Sequence, residues 1–318
     1  MKNLFSLLLV CSLALTGFSQ LNVSYVGQIT YDVNLSDIWA YEAPDGTEYG
    51  LVGLFNGVSI VSLEDPSNPV EVQYISGVGS TWRDIKVWED HAYVTNESGD
   101  GIAVIDLSDL PNSAPSFNWT PDVMGMGELQ TAHNIWIDEF GVAYLVGCNV
   151  NGGGMIYVDV TVGGEPEIID VGPSIYSHDV YVEDNMAYCS EIYAGSFAIY
   201  DVTDKTNTIF LGSQETEAQF THNTWRSDDG TILYTTDEVG GAPVGSYDVS
   251  DPSDIIELDQ FQPFATLGDG VIPHNVHVWG DWLIISYYTD GCIIVDGSNP
   301  TNLVEVGNFD TFIPQSTG

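Results

Sequence analysis

The strongest constraint on this chain is a short pattern that returns six times: one residue, usually polar or charged, then Asp or Asn, then an alternating apolar strand. It reads SDIWAY from Ser36, RDIKVW from Arg83, HNIWID from His133, HDVYVE from His178, HNTWRS from His222 and HNVHVW from His274. The second residues are Asp37, Asp84, Asn134, Asp179, Asn223 and Asn275, spaced by 47, 50, 45, 44 and 52 positions. Strand patterning repeated every 40–50 residues or so is the mark of a β-propeller blade. Each repeat divides into four short strands bounded by Gly, Asp and Pro clusters, and no stretch holds a helical period. The fold class is therefore all-β, a β-propeller of four-stranded blades.

A second signature marks the third strand of each unit: IVSLEDP, VIDLSD, YVDVTV, IYDVTD, SYDVSDP and IVDGSNP. An Asp followed two residues on by Ser or Thr can bond its own backbone and start a turn, so Asp106, Asp159, Asp201, Asp248 and Asp296 are expected at turns. The segment VSYVGQITY, residues 23–31, alternates like the fourth strand of a blade but has no first three strands of its own. Six repeats already have their own fourth strand. The expected architecture is accordingly a seven-bladed ring whose last blade is incomplete in this chain, with a six-bladed ring carrying one surplus strand as the alternative.

The N-terminus has Lys2 ahead of an apolar stretch, Leu4 to Phe18, with small residues before Gln20. This predicts a signal peptide over 1–19, followed by one propeller domain over 20–318 of six complete repeats plus an N-terminal outer strand. The mature chain is then exported, secreted or at the cell surface, with no membrane span. Cys148, Cys189 and Cys292 remain after cleavage, an odd number that cannot all pair internally. They are expected as free thiols.

Charge narrows the partners. Five basic residues face 46 acidic ones, a net charge of −41. Such a surface repels nucleic-acid phosphates and anionic lipids and favours cations. In a salty medium screening removes the self-repulsion beyond a Debye length of roughly 8–10 Å. The expected partners are an extracellular protein or a cationic or metal-bridged ligand.

The first strand of a propeller blade lines the central channel. In four consecutive copies its first residue is His: His133, His178, His222 and His274. The ends of the second strands add Glu97, Glu191, Asp237, Glu238 and Asp290 at the same face. Neutral imidazoles with carboxylates suit Zn²⁺, Fe²⁺, Mn²⁺ or Cu²⁺. The candidate metal or ligand set is His133, His178, His222, His274, Glu191 and Glu238, supported by Asp84, Asn134, Asp179, Asn223 and Asn275. The competing reading is structural, with the Asp and Asn residues and even the histidines tying adjacent blades together. Ca²⁺ is a weaker expectation, because no loop has the spacing of a Ca²⁺-binding helix–loop–helix. No GxSxG elbow or phosphate-cradling loop is present. The tryptophans, mostly on or just before the first strand, are expected in blade packing.

The stretches STWRDIKVW, TAHNIWID, YSHDVYVEDNMAYCSEIYAG, TTDEVGGAPVGSYDVSD and PHNVHVWGDWLIISYYTDG resemble the LVIVD-repeat propellers, and specifically the bacterial choice-of-anchor B family. That resemblance implies export and a surface or secreted life, and brings no established activity or catalytic residue. Two functions remain: a noncatalytic extracellular binding module, which the absence of a recognisable nucleophile or acid–base set favours, and a metal-dependent hydrolase or lyase centred on the histidines.

Overall fold

Six antiparallel four-stranded sheets follow one another along the chain as the blades of a ring, in a computed structural model that describes residues 20–311. Blade one is Leu35–Glu42, Glu48–Leu54, Gly57–Ser62 and Val70–Ser76; blade two is Ile85–Trp88, His91–Val94, Ile102–Asp106 and Ser116–Trp119. Blade three is Asn134–Ile137, Val142–Val146, Ile156–Asp159 and Glu167–Val171; blade four is Asp179–Glu183, Met186–Glu191, Ser196–Asp201 and Ile209–Glu215. Blade five is Thr221–Arg226, Ile232–Asp237, Val244–Asp248 and Ile256–Phe261; blade six is Pro273–Trp279, Trp282–Tyr287, Gly291–Asp296 and Val304–Phe309. The only helical pieces described are 3-10 turns at Asn151–Gly153 and Phe264–Thr266. No helix among the described residues is long and apolar enough to cross a membrane.

The turn assignment holds at every position. Asp106, Asp159, Asp201, Asp248 and Asp296 each accept the backbone N–H two residues on, from Ser108, Thr161, Thr203, Ser250 and Ser298, at 2.8–3.0 Å. These bonds close the turn between third and fourth strands on the face of the ring opposite the histidines.

The blades pack through apolar clusters. Leu51 and Ile60 of blade one meet Ile85 and Ile105 of blade two, Val104 of blade two meets Ile135 and Leu145 of blade three, and Val146 and Tyr157 of blade three meet Val180 and Ala198 of blade four. Phe197 and Ile199 then meet Leu233 and Tyr247 of blade five, and Val244 meets Leu283 and Ile285 of blade six. The three cysteines among the described residues are free, Cys148 and Cys189 buried and Cys292 partly so.

The expected seven-bladed ring is corrected to six. Residues 23–31 form no strand. Instead Gln20–Leu21 pairs antiparallel with the last strand of blade six, Gln20 opposite Phe309 and Leu21 opposite Asn308, as a fifth strand on that blade. The following residues lie over blade one, where Ile29, Tyr31 and Val33 pack on Val52, Leu54 and Val61. The alternation that resembled a fourth strand thus serves to cover a sheet face. Tyr31 Oη donates to Ser59 Oγ at 2.9 Å, and Tyr25 stacks on Phe309 with centroids 6.5 Å apart. The N-terminal segment therefore ties the last blade to the first. The proposed signal peptide, residues 1–19, and the C-terminal FIPQSTG, residues 312–318, lie outside the described residues.

If this segment holds the seam, Tyr31→Ala should lower stability by about 1–3 kcal/mol. Urea unfolding should show a lower midpoint at unchanged slope; an unmoved midpoint would mean that the segment merely rests on blade one.

Candidate functional site: a histidine stack in the central channel

Side chains of a strand alternate faces, but the first strand of each blade opens irregularly, with register shifts at its start in blades one, five and six. Three tiers result in the channel. The second residues of the repeats form the tier that holds the ring together. Asp37 Oδ2 accepts the N–H of Ile85 at 2.8 Å, Asp84 Oδ2 that of Ile135 at 2.9 Å, Asn134 Oδ1 that of Val180 at 3.1 Å and Asn223 Oδ1 that of Val276 at 2.9 Å. Each bond runs from one blade to the next. The requirement is an oxygen acceptor on a one-carbon stem, which Asp and Asn share. Asn134 Nδ2 also bridges Asp84 at 2.6 Å and Asp179 at 3.0 Å. The structural reading of this position therefore holds for Asp84, Asn134, Asp179 and Asn223. In Asn275, on the last blade, the buried Oδ1 has no hydrogen-bond partner among the described residues.

The tier below holds Trp39, Lys86, Trp136, Tyr181, Trp225 and His277. Trp136 meets Trp225 edge-on at 4.9 Å, and Trp225 lies 4.6 Å from His277. Lys86 Nζ bonds Asp84 Oδ1 at 2.6 Å and stands 4.3 Å from the centre of the Trp39 ring. Between these tiers is a void of about 20 Å³, enough for one water. Burial and the nearby Asp84 push Asp37 up to about 8 and Asp179 up to about 7, with Lys86 opposing both shifts.

The histidines form the tier at the channel mouth. Consecutive ring centres are 4.0 Å apart for His133 and His178, 4.3 Å for His178 and His222, and 4.4 Å for His222 and His274. Hydrogen bonding fixes their tautomers. His178 Nδ1 reaches the carbonyl of His222 at 3.3 Å, and His222 Nδ1 that of His274 at 3.1 Å. A carbonyl only accepts, so both nitrogens carry the proton. His133 Nδ1 faces Glu97 Oε1 at 2.6 Å. The Nε2 atoms of His178 and His222 are left with free lone pairs. Burial and the neighbouring imidazoles push His178 down to about 3 and His222 well below the usual value. Burial also lowers His274, against the pull of Glu238. All three shifts favour the neutral ring.

Glu238 closes one end of the stack. Its Oε2 lies 3.6 Å from His222 Nε2 and its Oε1 3.8 Å from His274 Nε2. One potential ligand atom from each of His222, Glu238 and His274 lies within 4.8 Å of the others, the one such cluster among the described residues. Tyr288 Oη donates to Glu238 Oε1, and its ring stands perpendicular to that of His274 at 5.5 Å.

Glu191 is not brought into this group. It turns into the blade, where it accepts from Tyr200 Oη at 2.7 Å. Asp237 likewise is buried and bonds Thr216 Oγ1 at 2.6 Å and the N–H of Ala218 at 2.7 Å. Asp290 takes the hydroxyl of Thr266. Arg83, at the histidine position of blade two, turns away and donates to the carbonyls of Leu54, Phe55 and Val78. Sequence reasoning missed Tyr288, for which the YYTDG run just past a second strand was the available signal.

The raised Asp37 has a consequence for pH. A carboxyl protonated in the fold but ionised when unfolded lowers stability as pH rises from its unfolded value, near 3.8, to its folded value, about 8. Asp37→Asn keeps the acceptor for Ile85 and removes the titration. The variant should match the parent near pH 4 and exceed it by at least about 1 kcal/mol near pH 8, read from denaturant midpoints. An identical pH profile for the two would show that Asp37 is ionised in the folded state.

A profile of the LVIVD repeat matches residues 79–119 and 273–311. No curated protein sequence matches the chain. Solved structures share the architecture at low identity. A proposed 6-phosphogluconolactonase from Bacteroides uniformis aligns with TM-score 0.62 and 11% identity over 84% of this chain and 82% of its own. A protein of unknown function from Desulfotomaculum acetoxidans aligns with TM-score 0.63 and 14% identity over 88% and 87%. The periplasmic gluconolactonase of Pseudomonas aeruginosa aligns with TM-score 0.55 and 11% identity over 86% and 82%. At these identities the likeness extends to the fold alone. The chain is a six-bladed β-propeller that carries LVIVD repeats.

Proposed function

We propose that this is an exported, secreted or cell-surface binding propeller, of the choice-of-anchor B type, whose histidine face holds a divalent transition metal between His222, Glu238 and His274. The observation that carries this reading is the commitment of Nδ1 in His178 and His222 to backbone carbonyls. It serves the framework and at the same time leaves Nε2 unprotonated, the state a metal requires. The nitrogen and carboxylate donors suit Zn²⁺, Fe²⁺, Mn²⁺ or Cu²⁺ better than Ca²⁺, which takes oxygen ligands. Tyr288 would orient Glu238. His133 and His178 extend the row of imidazoles past the site.

Charge favours a cationic or metal-bridged partner. Among the described residues no Lys or Arg is exposed. Arg83, Lys86 and Arg226 are buried, and Lys205 is bonded to Asn185 and the carbonyl of Val202. The acidic surface is therefore not interrupted by free positive charge, and nucleic acid and anionic lipid are disfavoured.

A second reading rests on the same donors. Two His and one Glu leave coordination positions for a water and a substrate, as in catalytic zinc sites. A metal there would make bound water nucleophilic near neutral pH. The gluconolactonase names among the structural neighbours are compatible with such a hydrolase. The binding reading is preferred because the acidic surface, with the described Arg and Lys side chains held inside, is complementary to a cationic or metal-bridged ligand.

Elemental analysis after dialysis against a weak chelator should find about one transition-metal ion per chain. Glu238→Gln and His222→Ala should each abolish its retention, and Tyr288→Phe should weaken Zn²⁺ binding about 10–100-fold in calorimetry. A metal-free protein that takes up no Zn²⁺, or uptake indifferent to these changes, would reduce the histidines to framework. Turnover of a lactone or ester panel, lost with the metal, would favour the hydrolase.

A further inference from the structure

The end of the histidine stack opposite Glu238 has a different chemistry. There Glu97 accepts from His133 Nδ1, and its side chain remains 35% exposed. Tyr176, in the loop entering blade four, lies against Gly153, where a Cβ would come within 2.5 Å of the ring. Tyr193, between the second and third strands of blade four, packs on Tyr176 with centroids 4.6 Å apart and planes tilted by 39°. Tyr193 is 81% exposed. Burial raises the Tyr176 phenol to about 12, with Tyr193 and the charge of Glu97 adding to it. The ring pair and the carboxylate are joined through the histidines, since the His133 ring bonded to Glu97 lies 4.0 Å from that of His178, two residues after Tyr176, and among the described residues no Lys or Arg pairs with Glu97 or lies over either ring.

We propose that Tyr176, Tyr193 and Glu97 form a subsite for the ammonium or guanidinium group of a basic polypeptide segment that docks on the histidine face. Aromatic faces attract cations through their quadrupole, and the partly exposed Glu97 carboxylate on the same face adds a charge-assisted acceptor. The net charge of −41 supplies the complementarity that draws a basic partner. The occupant is a polypeptide because the same face carries further side chains of interface type. Trp82, Met124, Phe264, Leu267 and Tyr288, all on loops of the same face, are 53–87% exposed. Exposed aromatic and Met side chains gathered on one face are characteristic of protein-binding surfaces.

The proposal deepens the reading of the histidine face as a binding face but requires no metal, so chelator-stripped protein separates the two. The probe is a fluorescent Lys/Arg octapeptide, compared with its Lys-acetylated, Arg-to-Gln counterpart and with spermidine, by anisotropy and competition at about 0.05 and 0.5 M salt. Binding of the basic peptide, and not of the neutral one, is expected. Tyr193→Ala should weaken it about 3–5-fold with Tyr193→Phe close to the parent, and Glu97→Gln should weaken it as well. At 81% exposure Tyr193 can be truncated without loss of fold, which circular dichroism would verify. Equal affinity for the parent and Tyr193→Ala would mean a diffuse electrostatic attraction and overturn the subsite. Equal binding of the neutral peptide would overturn the cation. Spermidine binding with the same Tyr193 dependence, while the peptide fails, would overturn the polypeptide partner.

Discussion

The hydrogen bond that a backbone N–H of one blade donates to an Asp or Asn oxygen of the blade before it is the interaction on which the rest depends. Ile85 donates to Asp37, Ile135 to Asp84, Val180 to Asn134 and Val276 to Asn223. A buried backbone N–H left without an acceptor is costly, so each bond fixes the approach of neighbouring first strands. The residue just ahead is then held close to its counterpart, so that the tilted rings of His133 and His178 lie 4.0 Å apart and those of His222 and His274 4.4 Å apart; between blades four and five the contact of His178 Nδ1 with the His222 carbonyl accompanies the 4.3 Å spacing. The framework thereby makes the site. Its last member shows the converse: the Oδ1 of Asn275 has no partner among the described residues, and on blade six Trp282 and Ile284 are exposed while Leu283 and Ile285 are buried. There the connection to blade one passes to the N-terminal segment, through Gln20–Leu21 on one side and Ile29, Tyr31 and Val33 on the other.

Much of this was legible in the residues because each repeat obeys local rules. Turn-forming Asp residues and alternating strands specify a blade without reference to its neighbours, and four histidines at one repeat position must converge once the blades form a ring. The blade count was not legible. The alternation over 23–31 meets the demand of a ladder and the demand of a sheet-covering segment equally well, and only tertiary packing decides between them. Of the two carboxylates chosen, Glu238 lies with the histidines and Glu191 does not, for a reason of parity. Glu191 and Asp237 are the last residues of second strands and point into their blades, whereas Glu238, one residue later, clears the strand and reaches the histidines. A one-residue step reverses the face that a side chain occupies. Strand ends are uncertain by that much in any sequence reading.

Charge is distributed with the same economy. Lys86 sits in the channel between Asp84 and Trp39, Arg83 holds carbonyls of the loops around it, and Arg226 pairs with Glu183 and Asp184. A buried cation is tolerated when its donors are all satisfied. With the cations inside, the exterior of the ring is left anionic. Its two faces nonetheless differ. One is bordered by Asp turns, the other by aromatic side chains around the imidazoles, and it is on the second that the proposed metal and basic partner would sit.

The central claim is that the framework bonds leave the stacked imidazoles neutral with Nε2 unprotonated. Two-bond ¹H–¹⁵N correlation spectra of the imidazole side chains, recorded across pH on metal-free protein, test it directly. The account predicts that His178 and His222 are Nδ1–H tautomers at neutral pH, with no protonation of His178 until about pH 3. Nε2–H tautomers, or rings that titrate near the ordinary imidazole value of about 6.5, would contradict it.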